Sequence, residues 1–224
     1  MSLDRLGLGN MARIDNVQVY GLAESIYRSG YPMMDHTPIK QEFDSNVSAI
    51  SDCLRKYAKG GNPHIERAIK LANAKGGGHD QFLTGIIVQF DLTLSNKAWV
   101  EAERYRFLDF ISSMSTMHRA AALPIEKCCN DHISLVILGE VARLQEAYNS
   151  IDGAEYPAEK KSAYLDLLYN LPSGFELTAG MTTNYRCLKN IYKQRRDHRL
   201  PDWHVVCDWI ESLPLAQELI CGGN

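Results

Sequence analysis

Apolar and polar residues alternate along three segments, a pattern that is typical of strands buried on one face. The alternation is clearest over residues 86–94, where every second residue is apolar and Gln89, Asp91 and Thr93 take the positions between. Residues 12–20 show a weaker alternation, and residues 175–181 form a short alternating stretch. The sequence therefore predicts strands at these three places.

Helical spacing and capping residues predict helices over much of the remaining chain. In the first half they cover residues 22–28, a segment capped by Asp44 or Ser45 that runs to Lys59, and residues 63–75 and 96–108. In the second half they cover residues 131–149, read as a core helix, and residues 159–169, 183–198 and 201–213. Long helices with a few strands indicate an α+β fold. Residues 151–157 are a loop rather than a linker, so we expect residues 1–224 to form one domain.

Composition excludes several classes of protein. Of the 224 residues, 45% are hydrophobic and 23% are charged, and the net charge is −3, which argues against a general nucleic-acid coat. No apolar stretch approaches the ~20 residues of a membrane helix, and the first residues lack a signal-peptide pattern. The six cysteines fit neither a disulfide scaffold nor a zinc site. We expect a cytoplasmic protein with no membrane partner and no metal.

Arginines and hydroxyl groups are dense around residue 110. Arg104 and Arg106 end the predicted helix over residues 96–108. The hydroxyl-rich segment that follows contains Ser113, Ser115, Thr116 and then Arg119. A guanidinium grips two oxygens of a phosphate, and hydroxyl groups can bind the others. A helix that ends in solvated arginines before a flexible loop gives the same pattern, so both interpretations stay open.

A second polar cluster lies on the predicted helix over residues 183–198. Arg186 and Asn190 share its polar face, whereas Arg195 follows the apolar face with Leu188 and Ile191. A buried arginine needs a carboxylate, carbonyl groups or a ligand. The alternative is a side chain that reaches past the apolar surface to solvent near the helix end.

Two further candidates stand alone. His79 follows three glycines and precedes an aspartate, so it is a candidate base, although a simple turn has the same pattern. Cys128 and Cys129 are adjacent, but no partnered base is evident, which makes a buried pair the competing interpretation.

These segments form an ordered series of partial motifs. They are residues 78–85, Arg104-Tyr105-Arg106, Ser115 with Arg119, Leu171-Pro172, Asn184-Tyr185-Arg186 with Asn190, and residues 194–197. The series resembles the flavin-dependent thymidylate synthase (thymidylate-synthase-complementing) family. In that family the matching motifs are Gly-His-Glu-Thr-Pro-Phe-Glu-His, Arg-His-Arg, Ser-x-Arg, Leu-Pro, Asn-x-Arg-x-x-x-Asn and Leu-Arg-x-Asp.

The resemblance implies an antiparallel sheet packed with long helices, a homotetramer with shared active sites, and reductive methylation of dUMP at uracil C5. FAD is the implied cofactor, with NADPH and methylenetetrahydrofolate as co-substrates. Catalytic roles are implied for Arg195 and Ser115. Flavin contacts are implied for His79, Arg104, Tyr105, Arg106, Asn184, Arg186 and Asn190. Substrate contacts are implied for Glu101, Ser113, Thr116, Arg119 and again Arg195.

The chain departs from the family pattern at specific positions. Tyr105 stands where the family has histidine, and Leu168 stands where a nucleotide-contacting arginine is expected. The activating hydroxyl stays open among Ser113, Ser115 and Thr116, because Met117 precedes Arg119 by two residues. Two alternatives follow: an enzyme that modifies another pyrimidine nucleotide at C5, and a non-catalytic relative that binds nucleotides or RNA.

Overall fold

A computed structural model describes residues 12–56 and 61–222 of the chain. Its centre is an antiparallel sheet with the strand order β1-β2-β4-β3. The strands are β1 (Arg13–Tyr20), β2 (Ile87–Ser95), β3 (Asp109–Ser113) and β4 (Glu176–Asn184). The three predicted strands are β1, β2 and β4. The α+β class and the antiparallel sheet are confirmed.

Helices form at all eight predicted places, with different ends, and in the described part of the chain two further short helices form that the sequence did not predict. Before β3 they are α1 (Leu22–Arg28), α2 (Lys40–Arg55), α3 (Pro63–Ala72) and α4 (Asn96–Ala102). After it they are α5 (Thr116–Arg119), α6 (Leu135–Ser150), α7 (Pro157–Tyr169), α8 (Tyr185–Arg195), α9 (Pro201–Ser212) and α10 (Ala216–Leu219). The predicted end of the second helix, Lys59, lies outside the described residues. Within residues 12–56 and 61–222, no helix has the length and apolar character needed to cross a bilayer.

The main core lies between the sheet and the helices of both chain halves. Every second residue of β2 from Val88 to Leu94 is buried, as the alternation predicts. These side chains belong to one cluster with Trp203 and Ile210 of α9, and with Leu188 and Ile191 of α8. Thr93 is also buried, because its hydroxyl bonds to the Thr178 hydroxyl on β4 at 2.7 Å. The shared core cluster therefore packs the sheet against α8 and α9.

A smaller core lies beneath α6 and α7. Its buried members are Ala120, Ile125, Cys129, Leu138, Val141, Leu167 and Phe175. Leu168 packs against this cluster, so it is a structural residue of the chain. Cys128 packs there too, and burial raises the pKa of its thiol. Cys129 is buried and Cys128 is partly buried beside it, so packing is the better interpretation of these two residues.

The helix predicted to reach Leu108 ends at Ala102, so that prediction is wrong at its end. Residues 103–108 form a turn, and the next residues are strand β3 instead of a flexible loop. The reason is tertiary, since β3 pairs with β4 from Asp109 opposite Thr182 to Ser113 opposite Ala179. Pairing across about 70 residues of sequence leaves no local pattern.

The interpretation of α6 as a core helix is wrong for its first turn. Ser134 caps the helix by accepting from the Ile137 N–H, and Leu135, Val136 and Ile137 are exposed. Val136 is 83% exposed, and among the residues of α6 only Leu138 and Val141 are buried. The apolar residues of this turn face outward from the described chain.

Candidate functional site

A cavity of about 800 Å³ opens where β4 ends and α8 begins. Its lining includes Arg104, Arg106, Arg186, Lys189, Lys193 and Arg195, with Asp80 as the carboxylate. Tyr105, Asn184 and Asn190 also line it. The volume is in the range of pockets that hold small molecules and cofactors. The two polar clusters of the sequence, about 80 residues apart, therefore meet in one place.

Asn184 directs α8 along the cavity. Its backbone ends β4, and its buried side chain caps α8 by accepting from the Cys187 N–H at 2.9 Å. Residues spaced by three and four along α8 then lie on one face, which brings Arg186, Asn190 and Lys193 to the lining. The cap thus sets the direction in which these side chains are presented.

The turn over residues 103–108 is attached to the end of β4 and the start of α8. The Thr183 hydroxyl donates to the Phe107 carbonyl at 2.8 Å, and the Cys187 thiol donates to the Arg106 carbonyl at 3.4 Å. Phe107 has a φ of 70°, in the left-handed region that few non-glycine residues adopt. Burial raises the pKa of Cys187, which keeps its thiol as a donor. These bonds hold Arg104 and Arg106 beside α8.

Arg195 is mostly shielded from solvent and is paired, which decides between the two interpretations of its place on the apolar face. Its Nη1 donates to the Glu101 Oε2 at 2.7 Å, and its Nε donates to the Tyr105 hydroxyl at 2.7 Å. Its guanidinium carbon lies 4.6 Å from the centre of the Trp203 ring. The side chain is 13% exposed, so the guanidinium is paired within the protein instead of reaching bulk solvent.

The cations of the cavity fall into two groups. Asp80 pairs with Arg186 (3.3 Å to Nε) and Lys189 (3.1 Å to Nζ). In contrast, no described carboxylate lies within ion-pair distance of Arg104, Arg106 or Lys193. Cations without an acidic partner favour an anionic ligand, and phosphate is one of the anions that a guanidinium can bind through two oxygens.

Several predicted site residues lie away from the cavity. β3 runs antiparallel to β4 and carries the chain from Phe107, at the cavity, toward the opposite end of β4. A strand of this length spans roughly 15 Å. Ser113, Ser115, Thr116 and Arg119 therefore lie at the far end of β3. β3 therefore separates Ser115 from the Arg195 of the same chain.

The remaining predicted residues have other surroundings. Ser113 lines a separate groove of about 460 Å³ beside Trp99 and Phe110. The Tyr164 hydroxyl on α7 donates to the Thr116 and Met117 carbonyls, which ties α5 to α7. His79 is exposed beside the cavity and does not belong to its lining. Glu101 lies behind Arg195, also outside the lining.

Sequence reasoning missed Lys189 and Phe107 as lining residues. Lys189 lies three residues after Arg186, so helical spacing could have placed it on the same face. Phe107 carried no such signal, because its place depends on a turn that the sequence did not predict. The basic run over residues 195–199 is largely neutralised, since Arg196 pairs with Asp208 and Glu211 while Arg195 pairs with Glu101.

Comparison of the sequence with protein-family models and with curated proteins gives no match. Solved structures do match. One is the flavin-dependent thymidylate synthase ThyX of Helicobacter pylori complexed with FAD and dUMP, with a TM-score of 0.59 and 14% identity. The match covers 94% of this chain and 97% of that one. The chain has the fold of a flavin-dependent thymidylate synthase.

A second structure of ThyX from the same organism, also with FAD and dUMP, gives a TM-score of 0.52 at 16% identity. That match covers 79% of this chain and 93% of the other. Identities this low establish the fold alone. What the chain binds must therefore be argued from its own cavity.

Proposed function

We propose that this protein is a flavin-dependent thymidylate synthase-like enzyme that methylates dUMP reductively at uracil C5. The observation that carries the proposal is the convergence of Arg104, Tyr105, Arg106, Asn184, Arg186, Asn190 and Arg195 on one cavity. This cavity occurs in the fold of proteins solved with FAD and dUMP. We also propose that the protein is located in the cytoplasm.

The residues of the cavity fit FAD. Arg104, Arg106 and Lys193 lack described acidic partners, which suits the phosphates of a dinucleotide, and Asn190 offers both a donor and an acceptor to a ring edge. Bound FAD would supply the redox chemistry, with NADPH as reductant and methylenetetrahydrofolate as carbon donor. The protein supplies binding, orientation and charge stabilisation.

Arg195 is the residue proposed to read the uracil ring. Its guanidinium is held in a desolvated position, where a charge-assisted hydrogen bond is stronger than in water. A donor fixed in this way stabilises negative charge that develops on the uracil ring. Arg195 is therefore assigned to both substrate binding and catalysis.

A second copy of the chain is needed to complete the site. Ser113, Ser115 and Thr116, the candidate activating hydroxyls, follow or end β3 away from the cavity of their own chain. β3 is an edge strand, and its apolar residues Phe110 and Ile111 are exposed. These features support a homotetramer in which one protomer offers hydroxyl groups to the cavity of another.

The reaction is tested by the release of tritium from dUMP labelled at C5, in the presence of FAD, NADPH and methylenetetrahydrofolate. We expect release with the wild-type protein and none with Arg195→Ala. Arg196→Ala is the matched control, because Arg196 is the adjacent residue and pairs outside the cavity. Absence of release from the folded, FAD-loaded wild-type protein would reject the proposed reaction.

One observation favours a second candidate function. Leu168 packs into the smaller core, so this position offers no guanidinium to a nucleotide. A changed nucleotide contact points to another pyrimidine nucleotide modified at C5. The same assay with C5-labelled dCMP separates the two: release from dCMP and not from dUMP supports the second candidate. The neutralised run over residues 195–199 argues against an RNA-binding relative.

A further inference from the structure

Two residues of the same chain hold the Arg195 side chain by hydrogen bonds. Tyr105 accepts from its Nε, and Glu101 accepts from its Nη1, both at 2.7 Å. A guanidinium has five N–H donors, so these bonds occupy two of them. No other described residue forms a hydrogen bond with the Arg195 guanidinium, and Arg195 lines the cavity. The free donors, including both on Nη2, are left for a ligand.

Glu101 and Tyr105 are themselves held in place by further contacts. The Glu101 Oε2 also accepts from the Trp203 indole N–H at 3.0 Å, and His198 Nε2 lies 3.4 Å away. The Tyr105 hydroxyl donates to the Gln194 Oε1 at 3.0 Å, so its proton is already used and its lone pair faces Arg195. Trp203 is fully buried, which anchors the arrangement to the main core.

We propose that Tyr105 and Glu101 are positioning residues that fix the Arg195 guanidinium, so that one edge of it recognises the ligand; this rests on the proposed function. The assignment differs from the family resemblance, which implied a flavin contact for Tyr105 and a substrate contact for Glu101. Tyr105 lines the cavity, but its hydroxyl is turned to Arg195 and Gln194.

The arrangement also divides the cavity by ligand chemistry. Arg195 has its charge balanced by Glu101, so it suits a neutral carbonyl of a planar base better than a phosphate. Arg104, Arg106 and Lys193 have no described acidic partner, so they suit the phosphates. The geometry therefore places the planar base of the substrate at Arg195 and the phosphates of FAD at the unpaired cations.

The first experiment tests whether Tyr105 and Glu101 hold Arg195 in place, and it needs no nucleotide. Phenylglyoxal modifies accessible guanidinium groups, and peptide mass spectrometry measures the rate at each arginine. We expect Tyr105→Phe and Glu101→Gln to speed modification of Arg195 several-fold, because the first removes a hydrogen-bond acceptor and the second removes the paired negative charge. Arg196, the adjacent residue, should keep its wild-type rate. An unchanged rate at Arg195 in both variants would show that the guanidinium is not held by these residues.

The second experiment separates positioning from flavin contact. Tyr105→Phe should weaken dUMP binding about tenfold and leave FAD binding unchanged, since one charge-assisted hydrogen bond is lost. Tyr192→Phe is the matched control, because the Tyr192 hydroxyl donates to Glu211, outside the cavity. A loss of FAD affinity with dUMP binding intact would overturn the assignment.

The two experiments distinguish the inference from the function on which it rests. Suppose that the wild-type protein binds neither FAD nor dUMP, but that Arg195 is modified faster in both variants than in the wild type. That result would support the positioning roles of Tyr105 and Glu101 and would reject the proposed function. If the wild-type protein binds both ligands and the rate of Arg195 modification is unchanged in the variants, the positioning roles are rejected and the proposed function is retained.

Discussion

The Thr183 hydroxyl donates to the Phe107 carbonyl at 2.8 Å and joins the end of β4 to the turn that carries Arg104 and Arg106. Thr183 is buried, so the bond is shielded from water. It connects the two chain segments that supply the cavity. Loss of this bond should therefore affect both stability and ligand binding.

We expect Thr183→Val, which keeps the shape of the side chain, to lower the free energy of unfolding by about 1–2 kcal/mol, because the Phe107 carbonyl loses its partner. Flavin affinity should fall as well. Thr182→Val is the control, since Thr182 is the neighbouring, partly exposed residue of β4. Urea unfolding and flavin titration measure the two effects, and equal behaviour of the two variants would contradict the role given to Thr183.

Replacement of Arg104 and Arg106 by alanine should weaken FAD binding at least tenfold and make the remaining binding less sensitive to salt. The expected change in stability is small, because neither side chain pairs with a described carboxylate. Arg143→Ala is the control, since Arg143 pairs with Glu140 on the surface of α6. Fluorescence titration at two salt concentrations tests this, and undiminished FAD binding in the double variant would place the flavin elsewhere.

Phe107 is an aromatic residue in a left-handed conformation at the cavity, and it is 54% exposed. Such strain persists where the surroundings impose it and is often found at binding sites. Phe107→Asn should preserve stability within about 1 kcal/mol, because asparagine adopts this conformation readily. We expect weaker flavin binding by titration. Unchanged binding would show that the ring is not part of the site.

Because the pKa of Glu176 is raised, the stability of the protein should depend on pH. Burial first, and then the Asp202 carboxylate, raise its pKa from 4.5 to about 7. The folded state therefore holds the proton more tightly than the unfolded state, so this contribution to stability is complete below pH 4.5 and is lost as the pH rises to about 7. Glu176→Gln should be more stable than wild type above pH 7 by about 1–3 kcal/mol.

Unfolding by urea at several pH values measures this effect. The two proteins should converge as the pH falls toward the ordinary pKa of glutamate. A difference that does not depend on pH would show that Glu176 is not the group responsible.

Mixed oligomers test whether the site is shared. Arg195→Ala removes the ring-reading group of the cavity, and Ser115→Ala removes a candidate hydroxyl at the far end of β3. Each variant alone should be inactive if Ser115 is the activating hydroxyl. Co-refolding them should restore part of the tritium release, because some cavities then combine intact residues of two protomers. Activity that is not restored would argue for a site within one chain or for another hydroxyl.

The sequence predicted those elements whose pattern is local. The alternation along β2 reflects burial of one sheet face, and the spacing of Arg186, Asn190 and Lys193 along α8 reflects one helix face. The α8 side of the cavity lining is therefore recognisable from the amino-acid sequence. For Arg195 the sequence left two interpretations open, a paired side chain and one that reaches solvent, and the structure shows the paired one.

The missed features depend on contacts between distant parts of the chain. β3 exists because it pairs with β4, and all five of its residues are exposed, so no alternation marks it. The pairing of Glu101 with Arg195 joins α4 to the end of α8 and has no sequence signal. Ser115 lies away from the cavity because of the direction of β3, in a segment where the sequence indicated only a hydroxyl-rich region after a helix.

The central claim is that one cavity holds a flavin and a nucleotide together, and the absorbance spectrum of FAD bound to the purified chain tests it most directly. We expect the protein to take up FAD, and we expect added dUMP to shift the flavin bands in the wild-type protein but not in Arg195→Ala. A colourless protein that takes up no added FAD would contradict the account, as would flavin bands that dUMP leaves unchanged in the wild-type protein.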